Sequence, residues 1–210
     1  MEPIYNGLIA AYRSGAARFT GCTSFNLDEY IGLPPNDPNS YRAYMNAKFF
    51  DHVDLPAAQR YLPRTDLDPD IAAVCYEDLI RKLGPIDLQL LGIGKNGHIG
   101  FNEPMTPFTT ATHVTELCRT TVDANSRYFD HEKEVPRRAI TMGIATILSA
   151  RSIVLLATGK QKASAIAAAI NGPVAEGCPA SALRDHENIT FVLDSEASSA
   201  LERVTVQVSQ

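Results

Sequence analysis

His98 and Glu103 lie five residues apart in the stretch LQLLGIGKNGHIGFNEP, residues 88–104. An imidazole titrates near neutrality, and a neighbouring carboxylate can orient its ring and stabilise its protonated form, so the pair is suited to moving a proton. Asn96 and Asn102 flank it, and Gly92, Gly94, Gly97 and Gly100 let the backbone turn sharply and approach a ligand closely. Two further groups of polar residues follow apolar runs. Asp28 and Glu29 come after residues 19–27, and Lys160 and Lys162 come after residues 152–157. Carboxylates and an imidazole in one cleft suit proton abstraction next to a carbonyl, or sugar ring opening. A lysine at a helix amino terminus, with an arginine such as Arg127 nearby, suits a phosphate monoester.

Each of these residues also has a plainer use. His98 can bond backbone within its loop, Asp28 can cap a turn, and Lys162 can be one solvated helix lysine among several. Arg127 can pair with Asp123 or Asp130 on its own helix, which contributes only a few tenths of a kcal/mol. Residues 92–97, GIGKNG, match the spacing of the dinucleotide fingerprint. That fingerprint requires a helix opening at its third glycine, and here HIGFNEP follows, broken by Gly100 and Pro104. No serine or cysteine stands in a nucleophile elbow, and no His, Asp or Glu cluster has ligand spacing, so no metal is expected.

The elements that must position these groups can be read from pattern. Helices are expected over residues 3–12, over 40–53 with Ser40 as N-cap, and over 69–82 with Asp68 as N-cap. Further helices are expected over residues 122–129, 144–149 and 163–170, with a short last one capped by Asp194. Strands are expected over residues 19–27, 86–91, 112–118, 139–142, 152–157 and 189–193. Residues 56–67 read as irregular, and the tail from residue 204 is ambiguous. Strands alternating with helices predict a Rossmann-like α/β fold, a mostly parallel sheet with helices on both faces. The carboxyl ends of such strands lie along one edge, where these folds place ligands, so the three polar groups can converge there.

Composition sets the outer bounds. The 210 residues suggest one domain, 1–210, with 45% hydrophobic and 20% charged residues, as in soluble globular proteins. A net charge of −5 argues against a general nucleic-acid or anionic-membrane binder. Cys22, Cys75, Cys118 and Cys178 are widely spaced, as buried thiols in a reducing compartment would be. No apolar run reaches the ~18 residues of a membrane span, and the amino terminus lacks the features of a signal peptide, so the cytoplasm is the expected location.

FNLDEYIGLPPNDPNSY (residues 25–41) and GIGKNGHIGFNEP (residues 92–104) resemble the two signature stretches of the glucosamine-6-phosphate deaminase family. ANSRYF (residues 124–129) and TGKQKA (residues 158–163) resemble two further blocks of that family, in the same order. The resemblance implies a Rossmann-like fold. It implies conversion of glucosamine 6-phosphate and water to fructose 6-phosphate and ammonia, with no cofactor. It casts His98 as the group that opens the pyranose ring, with Glu103 and Asn96 in the same assembly. Asp28 becomes the base for enolisation, and Arg127 and Lys162 become phosphate-binding residues. Galactosamine 6-phosphate is an alternative substrate, and a non-catalytic sugar-phosphate binder is an alternative role. A sugar phosphate is the one expected partner, in a monomer or a homo-oligomer.

Three departures from the family pattern stand out. Asn96 occupies a position where some members carry Asp, and an amide can orient His98 by hydrogen bonding but cannot neutralise an imidazolium. Residues 105–115, MTPFTTATHVT, contain no Lys or Arg, whereas members with an allosteric N-acetylglucosamine-6-phosphate site carry basic residues there, so that type of activation is not expected. Members also begin with a strand, a helix, a second strand and a Gly/Thr-rich phosphate loop. Met1 aligns just after that loop, so the chain is expected to lack the segment and to leave an apolar sheet edge open.

Overall fold

The computed structural model describes residues 1–34, 36–126, 129 and 135–201. The chain opens with α1 (Glu2–Arg13), whose apolar stripe buries Ile9 and packs Tyr5, Leu8 and Tyr12 against Met45, Phe49 and Phe50. Then come β1 (Ser24–Phe25), β2 (Asp28–Tyr30), α2 (Tyr41–Lys48), a 3-10 turn (Phe50–His52) and β3 (Arg60–Tyr61). Ser40 caps α2 by accepting from the Ala43 N–H, and Asp68 caps α3 (Pro69–Leu83) by accepting from the N–H groups of Asp70 and Ile71. The order continues with β4 (Gln89–Leu91), β5 (His113–Glu116), α4 (Arg119–Asn125), β6 (Arg138–Thr141), α5 (Ile144–Leu148) and β7 (Ile153–Ala157). A 3-10 turn (Lys160–Lys162) leads into α6 (Ala163–Asn171), a second (Pro179–Asp185) follows, and β8 (Ile189–Leu193) ends the order.

The strands form three small sheets. β4, β7 and β8 run parallel in the order β4-β7-β8, and β1 pairs parallel with β3. β2, β6 and β5 form an antiparallel sheet in the order β2-β6-β5. The largest apolar core lies against the first sheet, where Leu91, Ile153 and Leu155 meet Ile166, Ala169 and Leu183. Ala165, Ile166 and Ala169 on the inner face of α6 are buried in this core, Ile166 completely. Among the described residues β4 pairs only with β7 and β1 only with β3. No described helix is long and apolar enough to cross a membrane.

The structure corrects several expectations. Residues 19–27 do not form one strand. Asn26 still donates its N–H to the Tyr61 carbonyl beside β1, but the Leu27 carbonyl accepts from Met142, so the chain crosses from one sheet to another between them. The Tyr76 hydroxyl fixes the crossing by donating to the Asn26 carbonyl at 2.8 Å. Asp28 therefore begins a strand of the antiparallel sheet instead of ending a parallel one. The expected strands over residues 112–118 and 139–142 are β5 and β6, but their antiparallel pairing with each other and with β2 was not expected, because partners remote in the chain decide it. β3, two residues in the stretch read as irregular, is too short for a period to show. Turns follow Asp194 in place of a helix, and its carboxylate caps both the Ala197 and the Gly159 N–H groups. The tail from residue 204 lies outside the described residues.

Glu29 ties β2 to α2. One carboxylate oxygen accepts from the N–H groups of Tyr30 (3.0 Å) and Tyr41 (2.9 Å), and the other from that of Arg42 (2.9 Å). Glu29→Ala leaves these three amides without their acceptor in a nearly closed site. We expect it to lower stability by on the order of 3 kcal/mol, read as a lower midpoint in urea with an unchanged slope.

Candidate active site

The glycine-rich loop leaves β4 and folds back on itself. Gly94 donates its N–H to the His98 carbonyl at 2.8 Å, and no helix opens after Gly97, as expected for a loop that is not a dinucleotide site. The His98 ring lies flat against Gly94. A Cβ at residue 94 would come within 2.3–2.5 Å of three ring atoms, so only glycine leaves room for the imidazole there. Gly100 holds a left-handed φ of +58° and brings its backbone against Leu27 and the Thr141 hydroxyl.

Asn102 anchors the far end of the loop. It is fully buried, and its amide donates to the carbonyls of Ile99 and Met142, both at 2.8 Å. The Phe101 N–H donates to the Thr141 hydroxyl at 3.1 Å. The loop is thus fastened to the end of β6. Asp28 is the direct cross-strand partner of Thr141, and directly opposed residues in an antiparallel pair point to the same face. The Asp28 side chain therefore lies on the face that carries the His98 loop. Glu29, next along the strand, points the other way, toward α2.

Glu103 carries most of the polar contacts. Its Oε2 accepts from the Asn96 amide at 2.8 Å and lies 3.5 Å from His98 Nδ1, an ion-pair distance too long for a formed hydrogen bond. Its Oε1 accepts from the Thr121 hydroxyl at 2.6 Å and the Cys118 thiol at 2.9 Å. Burial pushes this carboxyl up, but His98, Cys118, Thr121 and Asn96 together outweigh it and hold it at about 2. Asn96 reaches His98 through the backbone, accepting its N–H at 3.3 Å, so the amide orients both the carboxylate and the loop that carries the ring.

Asp28 is tuned in the opposite direction. Burial, and then the charge of Glu29, push its carboxyl up to about 8. The phenols of Tyr5 in α1, Tyr41 in α2 and Tyr76 in α3 are all raised, by burial first and also by the Asp28 charge, so this carboxylate sits among them. Lys162 lies in the turn after β7 and donates from Nζ to the Ile93 carbonyl at 2.5 Å, which ties the third polar group to the start of the same loop. Five of the six residues singled out from sequence are therefore linked to one region: Asp28, Asn96, His98, Glu103 and Lys162. Arg127 lies outside the described residues. Sequence reasoning missed Cys118, Thr121 and Thr141, whose types carry no signal until a partner is beside them. A hollow of about 320 Å3 lined by Leu117, Arg119, Val122, Asp123 and Arg137, and another of about 760 Å3 between α1 and α2, contain none of these groups.

A family model described as glucosamine-6-phosphate isomerases/6-phosphogluconolactonase matches residues 1–192. The chain belongs to that family. It is 50% identical over 200 residues to the glucosamine-6-phosphate deaminase of Shouchella clausii (strain KSM-K16), covering 94% of this chain and 81% of the relative. It is 49% identical to that of Rhodopirellula baltica (strain DSM 10527 / NCIMB 13988 / SH1), covering 96% of this chain and 81% of the relative. A solved monomeric glucosamine-6-phosphate deaminase superposes with a TM-score of 0.92 at 46% identity, covering 95% of this chain and 83% of that one. The Rossmann-like α/β fold expected from sequence is the fold of this neighbour. The 6-phosphogluconolactonase of Trypanosoma brucei shares the fold at a TM-score of 0.68 and 22% identity.

The raised Asp28 carboxyl has a consequence for stability. Its ordinary value is 3.8 and its folded value about 8, so between those pH values the folded protein holds a proton that the unfolded chain releases. Stability from this group is complete below about pH 4 and falls as pH rises toward 8. Asp28→Asn removes the titration. Its melting temperature is expected to match the parent near pH 4 and to exceed it at pH 8, as calorimetry across that range will show.

Proposed function

We propose that this chain converts glucosamine 6-phosphate and water to fructose 6-phosphate and ammonia. The single observation that carries the reading is the sharing of one face at the end of β6. A tethered imidazole–carboxylate pair in the loop fastened there, and a separate desolvated carboxylate on the same face, support the reading in a chain of this family. His98 takes the proton of the anomeric hydroxyl and gives one to the ring oxygen as the bond between that oxygen and C1 breaks. Glu103, ionised throughout the neutral range, supports the imidazolium formed on the way. Asp28 then removes the proton from C2 of the open aldehyde and returns it to C1, while one proton passes from the nitrogen to the C1 oxygen, which leaves a C1 hydroxyl and an imine at C2. Water adds there and ammonia departs. The substrate gains and loses no electrons overall, so the balance requires no redox partner. Lys162 is assigned to the phosphate, as is Arg127 by the resemblance.

The reading also accounts for why Asp28 is buried. A base is most useful when its pKa lies near the working pH, and an exposed aspartate would be far too weak to take a proton from carbon. Desolvation supplies the basicity at the cost of stability.

Purified protein should release ammonia from glucosamine 6-phosphate, with kcat/KM rising with pH as Asp28 ionises on approach to about pH 8. Saturable binding without turnover would overturn the reading in favour of a sugar-phosphate sensor. His98→Gln should abolish turnover of the cyclic sugar. Gly94→Ala, which takes the space of the ring, should cost on the order of 100-fold. Asp28→Asn should stop exchange of the C2 hydrogen with solvent, measured by NMR in D2O.

A further inference from the structure

Glu103 belongs to the loop after β4, yet half of its contacts come from the start of α4. Thr121 is buried, 6% exposed, and its hydroxyl donates to Glu103 Oε1 at 2.6 Å across 18 residues of sequence. The Cys118 thiol donates to the same oxygen at 2.9 Å and lies 3.2 Å from the Thr121 hydroxyl. The N–H groups of Thr121 and Val122 both donate to the Cys118 carbonyl at 3.0 Å, so one tight turn carries both donors.

We propose that Thr121 and Cys118 are positioning residues for ring opening. They hold Oε1 and thereby leave Oε2 for Asn96 and His98. A free carboxylate rotates between equivalent orientations and can offer either oxygen to any donor. Here the two oxygens have different partners, and the division is set from α4. The 3.5 Å gap between Oε2 and His98 Nδ1 then closes by a small ring movement, with no rotation of the carboxylate. A purely structural role would use these donors only to satisfy a half-buried acid. The positioning role adds that their loss disorders the side facing His98. The inference rests on the assignment of His98 and Glu103 to ring opening.

The test is Thr121→Val, which keeps the shape and removes the hydroxyl, alongside Thr121→Ser, Cys118→Ala and Glu103→Gln. Thr121→Val should lower kcat about tenfold with KM changed less than about twofold, because ring opening follows binding. With a donor gone, the Glu103 carboxyl rises toward its ordinary range, read directly as a higher midpoint in a carboxyl 13C NMR titration, since Asp28 sets the acid limb of the rate profile. Thr121→Ser should restore both. Cys118→Ala, losing a weaker donor, should shift both the same way by a smaller factor, and it decides the matter if Thr121→Val does not fold. A lower melting temperature with kcat and the Glu103 titration unchanged in Thr121→Val and Cys118→Ala overturns the proposal, and an inactive Glu103→Gln beside them shows that only the positioning role has failed. A fully active Glu103→Gln overturns the ring-opening assignment and the proposal with it.

Discussion

The pairing of β2 with β6 is the constraint on which the site depends. It places Asp28 directly across from Thr141, and Thr141 with its neighbour Met142 is where the glycine-rich loop is fastened. Two segments far apart in sequence are thus fixed to adjacent atoms of one strand. Backbone bonds and two buried side chains do this, without reliance on long charged residues that would need ordering. A shift of one residue in this register would turn Asp28 to the opposite face and separate it from His98.

Around that strand the protein sets two carboxyls in contrasting surroundings. Glu103 has four polar neighbours and stays ionised at all ordinary pH values, whereas Asp28 is shut in among tyrosines beside another acid. The difference comes from hydrogen-bond supply against desolvation, since the two side chains have nearly the same chemistry. One group is suited to a fixed charge and the other to a proton that comes and goes. The proposed reaction uses one of each, in separate steps.

Glycine and asparagine do much of the fine placement. Gly94 makes room for the imidazole, Gly100 lets the loop touch Leu27 and Thr141, and Asn102 donates its amide to the Ile99 and Met142 carbonyls, which also accept from the Asn102 N–H and the Thr141 hydroxyl. Asn96 bonds both the carboxylate and the His98 backbone and so keeps the turn and the acid in step. A Cβ at Gly94 or Gly100 would press on the His98 ring or on Thr141 and Leu27, so a larger residue at either position would displace the loop.

Much of this could be read from residue order. Asp68 and Ser40 announced two helices through their capping chemistry, and β8 was read at its observed bounds from a five-residue apolar run. Asp28, Asn96, His98 and Glu103 were identifiable because their types can move or orient protons and because the stretches that carry them resemble the family's signature stretches. The crossing at Asn26 and Leu27 and the antiparallel pairing of β2, β6 and β5 were not readable, since contacts between remote segments decide them, and β3 is too short to leave a periodic trace. Nor were Thr121 and Cys118: a threonine and a cysteine on a short helix look the same whether they face solvent or a carboxylate. Local sequence determined which groups could carry protons, because that follows from side-chain type. Only tertiary structure decided how strongly each holds its proton, because that depends on water excluded and donors supplied by segments remote in the chain.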